Sequence, residues 1–510
     1  CNDAAEYSNS LISSPHPIAS QVGQVIFSQG GNAFDAAVAA AFTLSVVEPT
    51  MSGIGGRLQA IYSKSDGSIS GVDAMTEIPI SFDSSELNNL ESYGYKTIGI
   101  PGVVAGLLKL HQENGVLDLE TIMQPSIDAA QNGFLILPEA IKRIAGSKSE
   151  FEKFEGSKKY FLNLNGEAYK FGDKLIQKDL ANTLKLIAKN GKSGFYEGQV
   201  AQQIVADIDS NGGYLSLEDL KNYEALESNI VTGQFNGYEV HSLYLPSYGA
   251  ITIQIIQIMD HLDILSEEDW VIKVGLASEE AYTSRPYQKN TDSLKNILSV
   301  TEAKKIANRI NNQNIQISSI SNKDYSRSNT AHLTTADKNG NVVSLTQTIG
   351  PLMGSKVATK GLGFLYNVTM GPYLGGYLNE INPGDRVSSH ISPTLFTKND
   401  EVILAIGSAG GNKIPTAITQ VSYRYLKQNM SLGESLFFPR VYKFDGPTQI
   451  ENHIGVNRFF NNLDEGSLNI EKISYKSAFG RVHAVALDSI NSKWIGSADP
   501  DWEGSVSESE

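Results

Sequence analysis

The stretch "HLTTADKNGNVVSLTQT", residues 332–348, constrains the fold more than any other part of the chain. Two runs of alternating character flank Asn339-Gly340, and an Asn-Gly pair between such runs is the strongest short-range signal for a β-hairpin. A two-residue loop would set Lys338 opposite Asn341 and carry position 348 opposite 330 or 331. Thr348 is therefore expected within side-chain reach of Thr330. The preceding residues, "DYSRSN", read as polar loop. A threonine thus stands where a polar loop becomes a buried strand.

Two readings of Thr330 follow. Threonine is a good β-former, so it can simply start the strand. Alternatively, the bond after Asn329 is cut and Thr330 becomes a new N-terminus. Its hydroxyl is then a nucleophile and its own α-amine the base, a pairing that compensates for the weak nucleophilicity of a free hydroxyl. An α-amine with a pKa of about 7.7–8.0 suits proton transfer near neutral pH. His332, two residues on, shares the sheet face of Thr330. It either tunes the site or is a satisfied structural histidine.

A second strand-to-turn element lies further on. "EVILAIG" reads as a strand, "SAGGNK" as a turn of small residues, and "IPTAITQVSYRYLK" as a helix. Backbone N–H groups at such a turn and helix start favour an anion. Gly410 and Gly411 either serve the turn alone or supply the donors of an oxyanion site.

Elsewhere, Ala and Val recur at helical spacing from Asn32 to Val47, apolar nearly all round, which predicts a buried helix. "MSGIGGRLQAIYS" predicts a Gly-rich turn and then a strand. Residues 98–135, 175–225 and 265–328 read as mostly helical, and the stretch after 330 as strand-rich to about 408. The polar end of the former region, near 312–329, reads as a mobile linker. We divide the chain into 1–329, helix-rich, and 330–510, strand-rich. Neither half is self-sufficient, so the two are expected to interleave in one α/β domain.

Bulk properties exclude other classes. With 510 residues, 41% hydrophobic and 19% charged, the chain is long and apolar enough for a large core. A net charge of −15 opposes nucleic acid and anionic membrane as partners. One cysteine and eight scattered histidines provide no zinc pattern, so neither metal nor cofactor is expected. Cys1 opens a polar tail and reads as an incidental thiol. No window of 18 apolar residues occurs, and the start lacks the features of a signal peptide, so a cytoplasmic location is expected. "NGKSG" at 190–194 hints at a phosphate loop, but Leu186 stands where the motif requires Gly. Asp35 and the carboxylates of "LDLETIM" and "LSLEDLKNY" read as structural and capping groups.

Several stretches, in order, carry a resemblance: "QGGNAFDAAVAAAFTLSVVEPTMSGIGG", "NTAHLTTADKNGNVVSLTQT", "RVSSHISPTLF", "GSAGGNK" and "GSADPD". Together they resemble the γ-glutamyltransferase family of N-terminal-nucleophile hydrolases, from about Pro17 to Gly504. The resemblance implies a four-layer αββα sandwich, made as a precursor that cuts itself into a large and a small fragment. These stay together as a heterodimer, with further pairing of such heterodimers open. It implies Thr330 as nucleophile, Asn329 as the residue before the cut, and Thr348 as its hydrogen-bonding partner. Ser388 and Ser389 would line the pocket, and Gly410 and Gly411 would form the oxyanion hole.

The same resemblance marks departures among the substrate-binding positions. Met75 in "DAMTEIP" takes the place of an arginine that holds a substrate carboxylate. Gly350 replaces an asparagine, and Pro372 replaces the aspartate that pairs with a substrate amine. Ala331 and Asp501 also differ from the family pattern, and the glycine run "GIGGRLQ" is short. Methionine cannot make the bidentate contact of arginine with a carboxylate. The expectation is a self-processing amide hydrolase or acyl transferase acting on a small-molecule amide, with acyl specificity moved away from γ-glutamyl. The alternatives are an acylase for another acyl group and an uncut, non-catalytic homologue.

Overall fold

The computed structural model describes the chain except for residues 1–3, 90, 313–328, 372–381, 445, 454–455, 457–458, 461, 477, 502 and 510. Cys1, Pro372 and nearly all of the linker expected near 312–329 lie outside the described residues. Fourteen strands build two seven-stranded sheets. In chain order they are β1 (Ala4–Ser8), β2 (Ser10–Ser14), β3 (Arg57–Ser63), β4 (Ile69–Ala74), β5 (Leu226–Glu227), β6 (Ile230–Phe235) and β7 (Tyr238–Leu243). There follow β8 (Ala331–Ala336), β9 (Val342–Thr348), β10 (Thr394–Lys398), β11 (Glu401–Ala409), β12 (Arg481–Asp488), β13 (Lys493–Ala498) and β14 (Ser505–Ser509). The first sheet has the order β14-β2-β8-β9-β3-β4-β5 and the second β1-β13-β12-β11-β10-β7-β6. Each sheet takes strands from both sides of residue 330.

The sheets stack face to face, with β8 and β9 lying over β11 and β12. On the outer face of the first sheet lie helices α1 (Pro17–Ser28) and α2 (Ala33–Val47). On the outer face of the second lie α3 (Gly249–Asp260) and α4 (Ile414–Leu426). The result is the four-layer αββα sandwich. Every residue of α2 is buried. Its alanines let it sit between α1 and the strands of the hairpin, where larger side chains would hold the layers apart. Asn32 and Asp35 close a capping box at its start, and Asp35 also accepts from Val116 N, which is its structural task. Gly191, in the supposed phosphate loop, is the left-handed cap of a helix over Lys178–Asn190, with φ of 58°.

The hairpin departs from the expected register by one residue. Ala336 pairs with Val342 and Ala331 with Gln347, so Asp337 faces Asn341 across a three-residue loop. The physical reason is Asp337. Its carboxylate accepts from Asn339 N at 2.9 Å and Asn341 N at 3.1 Å, and from Ala33 N at the start of α2 at 2.9 Å. Gly340 takes φ of 87°, as a type I turn followed by a left-handed residue requires. Continued one step past Ala331, this register sets Thr348 opposite residue 330.

Candidate functional site

Alternation along β8 and β9 sorts their side chains. Gln347 points outward and donates to Ala41 O in α2. His332 and Thr346 point inward, between the sheets. His332 Nε2 lies 2.9 Å from Thr334 Oγ1, and Nδ1 lies 2.8 Å from Thr346 Oγ1. Because Thr334 gives its hydroxyl proton to His483 O, it accepts from His332 Nε2–H, and Thr346 donates to Nδ1. Burial holds the pKa of His332 down at about 3, so the ring stays neutral. It is a structural histidine that ties the sheets together. Across from it, a Cβ on Gly407 would lie only 2.1 Å from the ring, which accounts for glycine in the middle of β11.

Residues 330 and 348, on this same inward face, close one end of the sandwich. Asn329 and Thr330 are both buried. Thr348 Oγ1 donates to Asn329 O at 2.7 Å and accepts from Gly350 N at 3.0 Å. Gly350 has φ of 95°. The hydroxyl of Thr348 thus holds the carbonyl of the peptide bond that precedes Thr330. Arg481, at the start of β12, donates from Nη2 to Thr330 O at 3.1 Å. The buried carboxyl of Glu48 lies in the field of Arg481 and Arg143; burial raises its pKa more than these cations lower it.

The glycine turn reaches the same end. Ala409 pairs with Arg481, the residue that grips Thr330, and Gly410 follows at once. Gly410 has φ of 152° and Gly411 of 58°. A Cβ on Gly410 would come within 2.8 Å of Gly480 Cα. The turn therefore runs backbone against backbone, and leads through a short helical turn, Gly411–Lys413, into α4.

Ser388 and Ser389 lie on a segment pinned to the chain around Pro246. Ser389 N donates to Pro246 O, and Ser388 Oγ accepts from Arg285 Nη2 at 2.8 Å. Arg285 is itself buried over the ring of Tyr248. Beside them, Met75 belongs to a small apolar cluster with Met370, Val387 and Ile391 and is fully buried. Its position offers no charge to a substrate.

Two residues here were not singled out from sequence, Arg57 and Arg481. Thr348 pairs with Arg57, and Leu58 with Ala74, so Arg57 stands between Thr348 and Met75 on the inward face. Just before it, a Cβ on Gly56 would meet Thr348 O at 2.4 Å, so the turn must be glycine there. The run "RVHAVALD" forms β12, but the partner of its first residue is set by tertiary contact alone.

Among the described residues, Glu451, His453 and Asp501 form a cluster with metal-ligand chemistry, their donor atoms all within 4.8 Å of one another. Arg440 lies 3.9 Å from Glu451 and 2.6 Å from the neighbouring Asp499, and His453 Nε2 lies 3.3 Å from Asp501. Burial lowers the pKa of His453, but its bond to Glu451 and the charge of Asp501 outweigh burial and raise it overall. A raised pKa means the folded state holds the proton more tightly than the unfolded state. The His453 contribution is therefore complete below the unfolded value and lost as pH rises through the folded one. We expect the thermal midpoint of the protein to fall more between pH 6 and 8 (about the span around an unperturbed His) than that of His453→Gln, by parallel melting curves.

Fold and threonine hairpin together define an amide hydrolase or acyl transferase of the N-terminal-nucleophile class. More narrowly, the chain belongs to the gamma-glutamyltranspeptidase family, whose model matches residues 19–509. The glutathione hydrolase proenzyme of Pseudomonas sp. (strain A14) is 31% identical over 469 residues, 85% of this chain and 81% of that one. The crystal structure of a cephalosporin acylase from Bacillus halodurans superposes with a TM-score of 0.88 at 24% identity, covering 100% of this chain and 97% of the other. Helicobacter pylori gamma-glutamyltranspeptidase matches with a TM-score of 0.54 at 32% identity, over 58% of this chain and 90% of that one. No helix among the described residues is long and apolar enough to cross a membrane.

Proposed function

We propose that the chain is a precursor that cuts itself between Asn329 and Thr330 and then uses Thr330 to transfer or hydrolyse the acyl group of a small-molecule amide. The observation that carries this reading is the 2.7 Å hydrogen bond from Thr348 to Asn329 O. It polarises the one carbonyl that Thr330 Oγ must attack, at the start of a strand that holds both residues in register. Attack converts the 329–330 amide to an ester on Oγ. Water then hydrolyses the ester, leaving a carboxylate on Asn329 and a free amine on Thr330.

In turnover the freed amine takes the hydroxyl proton as Oγ attacks the substrate carbonyl. The negative charge that forms on the carbonyl oxygen is met by the backbone N–H groups at Gly410 and Gly411. The amine proton then passes to the leaving nitrogen, and an acyl-Thr330 ester remains for water or an amine to resolve. Both fragments would remain joined as a heterodimer, because strands from each lie side by side in both sheets. Among the pocket positions, Ser388 and Ser389 would meet the acyl group. Met75 and Gly350 provide no charged anchor, and this favours an acyl group other than the amino-acid end of γ-glutamyl.

N-terminal sequencing of the purified protein tests the reading. A smaller fragment that begins Thr-Ala-His-Leu, together with release of p-nitroaniline from acyl anilides, supports it. A single uncut polypeptide that persists on incubation and turns over none of them makes the chain a non-catalytic homologue. Thr348→Val should slow the appearance of the fragments by roughly 10–100-fold, the effect of a hydrogen bond to a developing charge, read from a gel time course.

A further inference from the structure

Once the bond before Thr330 is cut, the base is an α-amine. With an ordinary pKa of about 7.7–8.0 it is mostly protonated at pH 7, and in that form it cannot take the hydroxyl proton. A fixed positive charge nearby disfavours the protonated form. Arg481 brings such a charge. It is 1% exposed, and its Nη2 donates to Thr330 O at 3.1 Å. That oxygen belongs to the bond between Thr330 and Ala331, on the far side of Thr330 from the cut, so the contact outlasts processing. The nitrogen and carbonyl oxygen of one residue lie roughly 3–4 Å apart, which puts the new amine within about 7 Å of the guanidinium.

Backbone packing fixes where this side chain emerges. Arg481 follows Gly480, whose φ is 93°, and a Cβ on Gly480 would lie 2.7 Å from Ser408 Oγ and 2.8 Å from Ala409 O. The start of β12 thus lies main chain against main chain on the glycine turn, with Ala409 paired to Arg481. Charged groups approach from several elements. Four carboxyl groups act on Arg481: Glu48 at the end of α2, and Asp499, Asp501 and Glu503 near the C-terminal end. Burial raises the pKa of Glu48 and Glu503, which favours their neutral forms. Asp499 lies 2.6 Å from Arg440, and Asp501 lies 3.3 Å from His453. Arg143, on the helix Pro138–Gly146, adds a second cation to the same field, and Arg57 faces Thr348 from β3. His332 and His483, between the sheets, are kept neutral by burial. The surroundings of residue 330 are therefore weighted toward positive charge.

We propose that Arg481 is a positioning residue for the base: its guanidinium, fixed on the Thr330 carbonyl, keeps the freed α-amine of Thr330 neutral near pH 7, so that the amine can accept the proton of its own hydroxyl. The inference rests on the cut at 329–330 proposed above and adds the group that makes the resulting amine usable.

Cyanate carbamoylates an amine only in its neutral form. Its rate at Thr330 against pH, read by mass spectrometry of the first peptide of the smaller fragment, therefore titrates the amine without any substrate. The free peptide Thr-Ala-His-Leu is the reference. The amine of the processed wild type should titrate about one pH unit below that peptide. Arg481→Gln keeps a donor for Thr330 O and removes the charge, so its amine should titrate about one unit above that of the wild type. The acid limb of kcat/KM for an acyl-p-nitroanilide should move with it, as a loss of about tenfold at pH 6 that narrows as pH rises. Arg481→Lys keeps the charge and should titrate as the wild type does. A wild-type amine that titrates with the free peptide overturns the inference. So does an Arg481→Gln protein whose amine titrates as in the wild type while its rate falls equally at every pH, the mark of a merely structural role. If Arg481→Gln is not cut, the wild type against the peptide decides alone. If the wild type itself is never cut, there is no amine to titrate and the proposed function fails instead.

Discussion

Thr330→Ala should leave the protein as one uncut polypeptide and lower amide turnover by about 10⁴-fold or more, the scale seen when a nucleophile is removed. Two losses combine in this variant. The hydroxyl that attacks the Asn329 carbonyl is gone, so no new N-terminus forms and no free amine becomes available as base. The hydroxyl that attacks substrate is gone as well. The alanine should fold normally, because the main chain keeps its register: Ala331 still pairs with Gln347, and the Arg481 bond to the carbonyl of residue 330 does not involve the side chain. Thr330→Ser separates the two losses. It keeps the hydroxyl and should still be cut, more slowly, since the missing methyl leaves χ1 freer. Denaturing gels, fragment sequencing and anilide rates on the three proteins check this. Normal cutting of the alanine variant would remove Thr330 from the chemistry altogether.

Gly410→Ala should lower kcat by about 10²–10³-fold with KM little changed, the effect of disabling a donor to the oxyanion. The added methyl cannot be placed without movement. Its Cβ would come 2.8 Å from Gly480 Cα, a backbone atom that cannot rotate away, and φ of 152° suits only glycine. Either strain turns the N–H groups at 410–411 away from the reacting carbonyl. The smaller fragment should still begin at Thr330 if processing is driven chiefly by Thr348, which lies on the other sheet. Rates on a single anilide over a range of concentrations separate kcat from KM. A variant with unchanged kcat would show that the oxyanion is held elsewhere.

Much of this site was legible because it is local. Thr330, Asn339-Gly340 and Thr348 lie in one continuous stretch, and a turn sets the pairing of the strands it joins. Even there the register came out one residue off. An Asn-Gly pair signals a two-residue loop, but Asp337 binds two amides of the loop and the start of α2, and that draws in a third residue. The buried α2 was equally plain from its alanines. Arg57 shows where such reading stops. Its neighbours Thr348 and Met75 come from strands about 290 and 20 residues away in sequence, and which residues a strand end faces depends on pairings that no turn counts out. The charge was visible in "GIGGRLQ", but that its Nε meets no partner among the described residues is a property of the packed molecule. Arg481 is the same case, since its contact with Thr330 crosses from one sheet to the other.

The weaving of both sheets from strands on either side of residue 330 has a consequence for how such a molecule is made and lost. Before the cut, folding is a single-chain event whose rate ignores concentration. Were the chain cut at 329–330 as proposed, the same sandwich could be rebuilt only if two polypeptides met, each bringing unpaired strand edges into solution. Thermal or denaturant unfolding of the mature form should therefore be hard to reverse in dilute solution, and the uncut chain acts as its own one-time template.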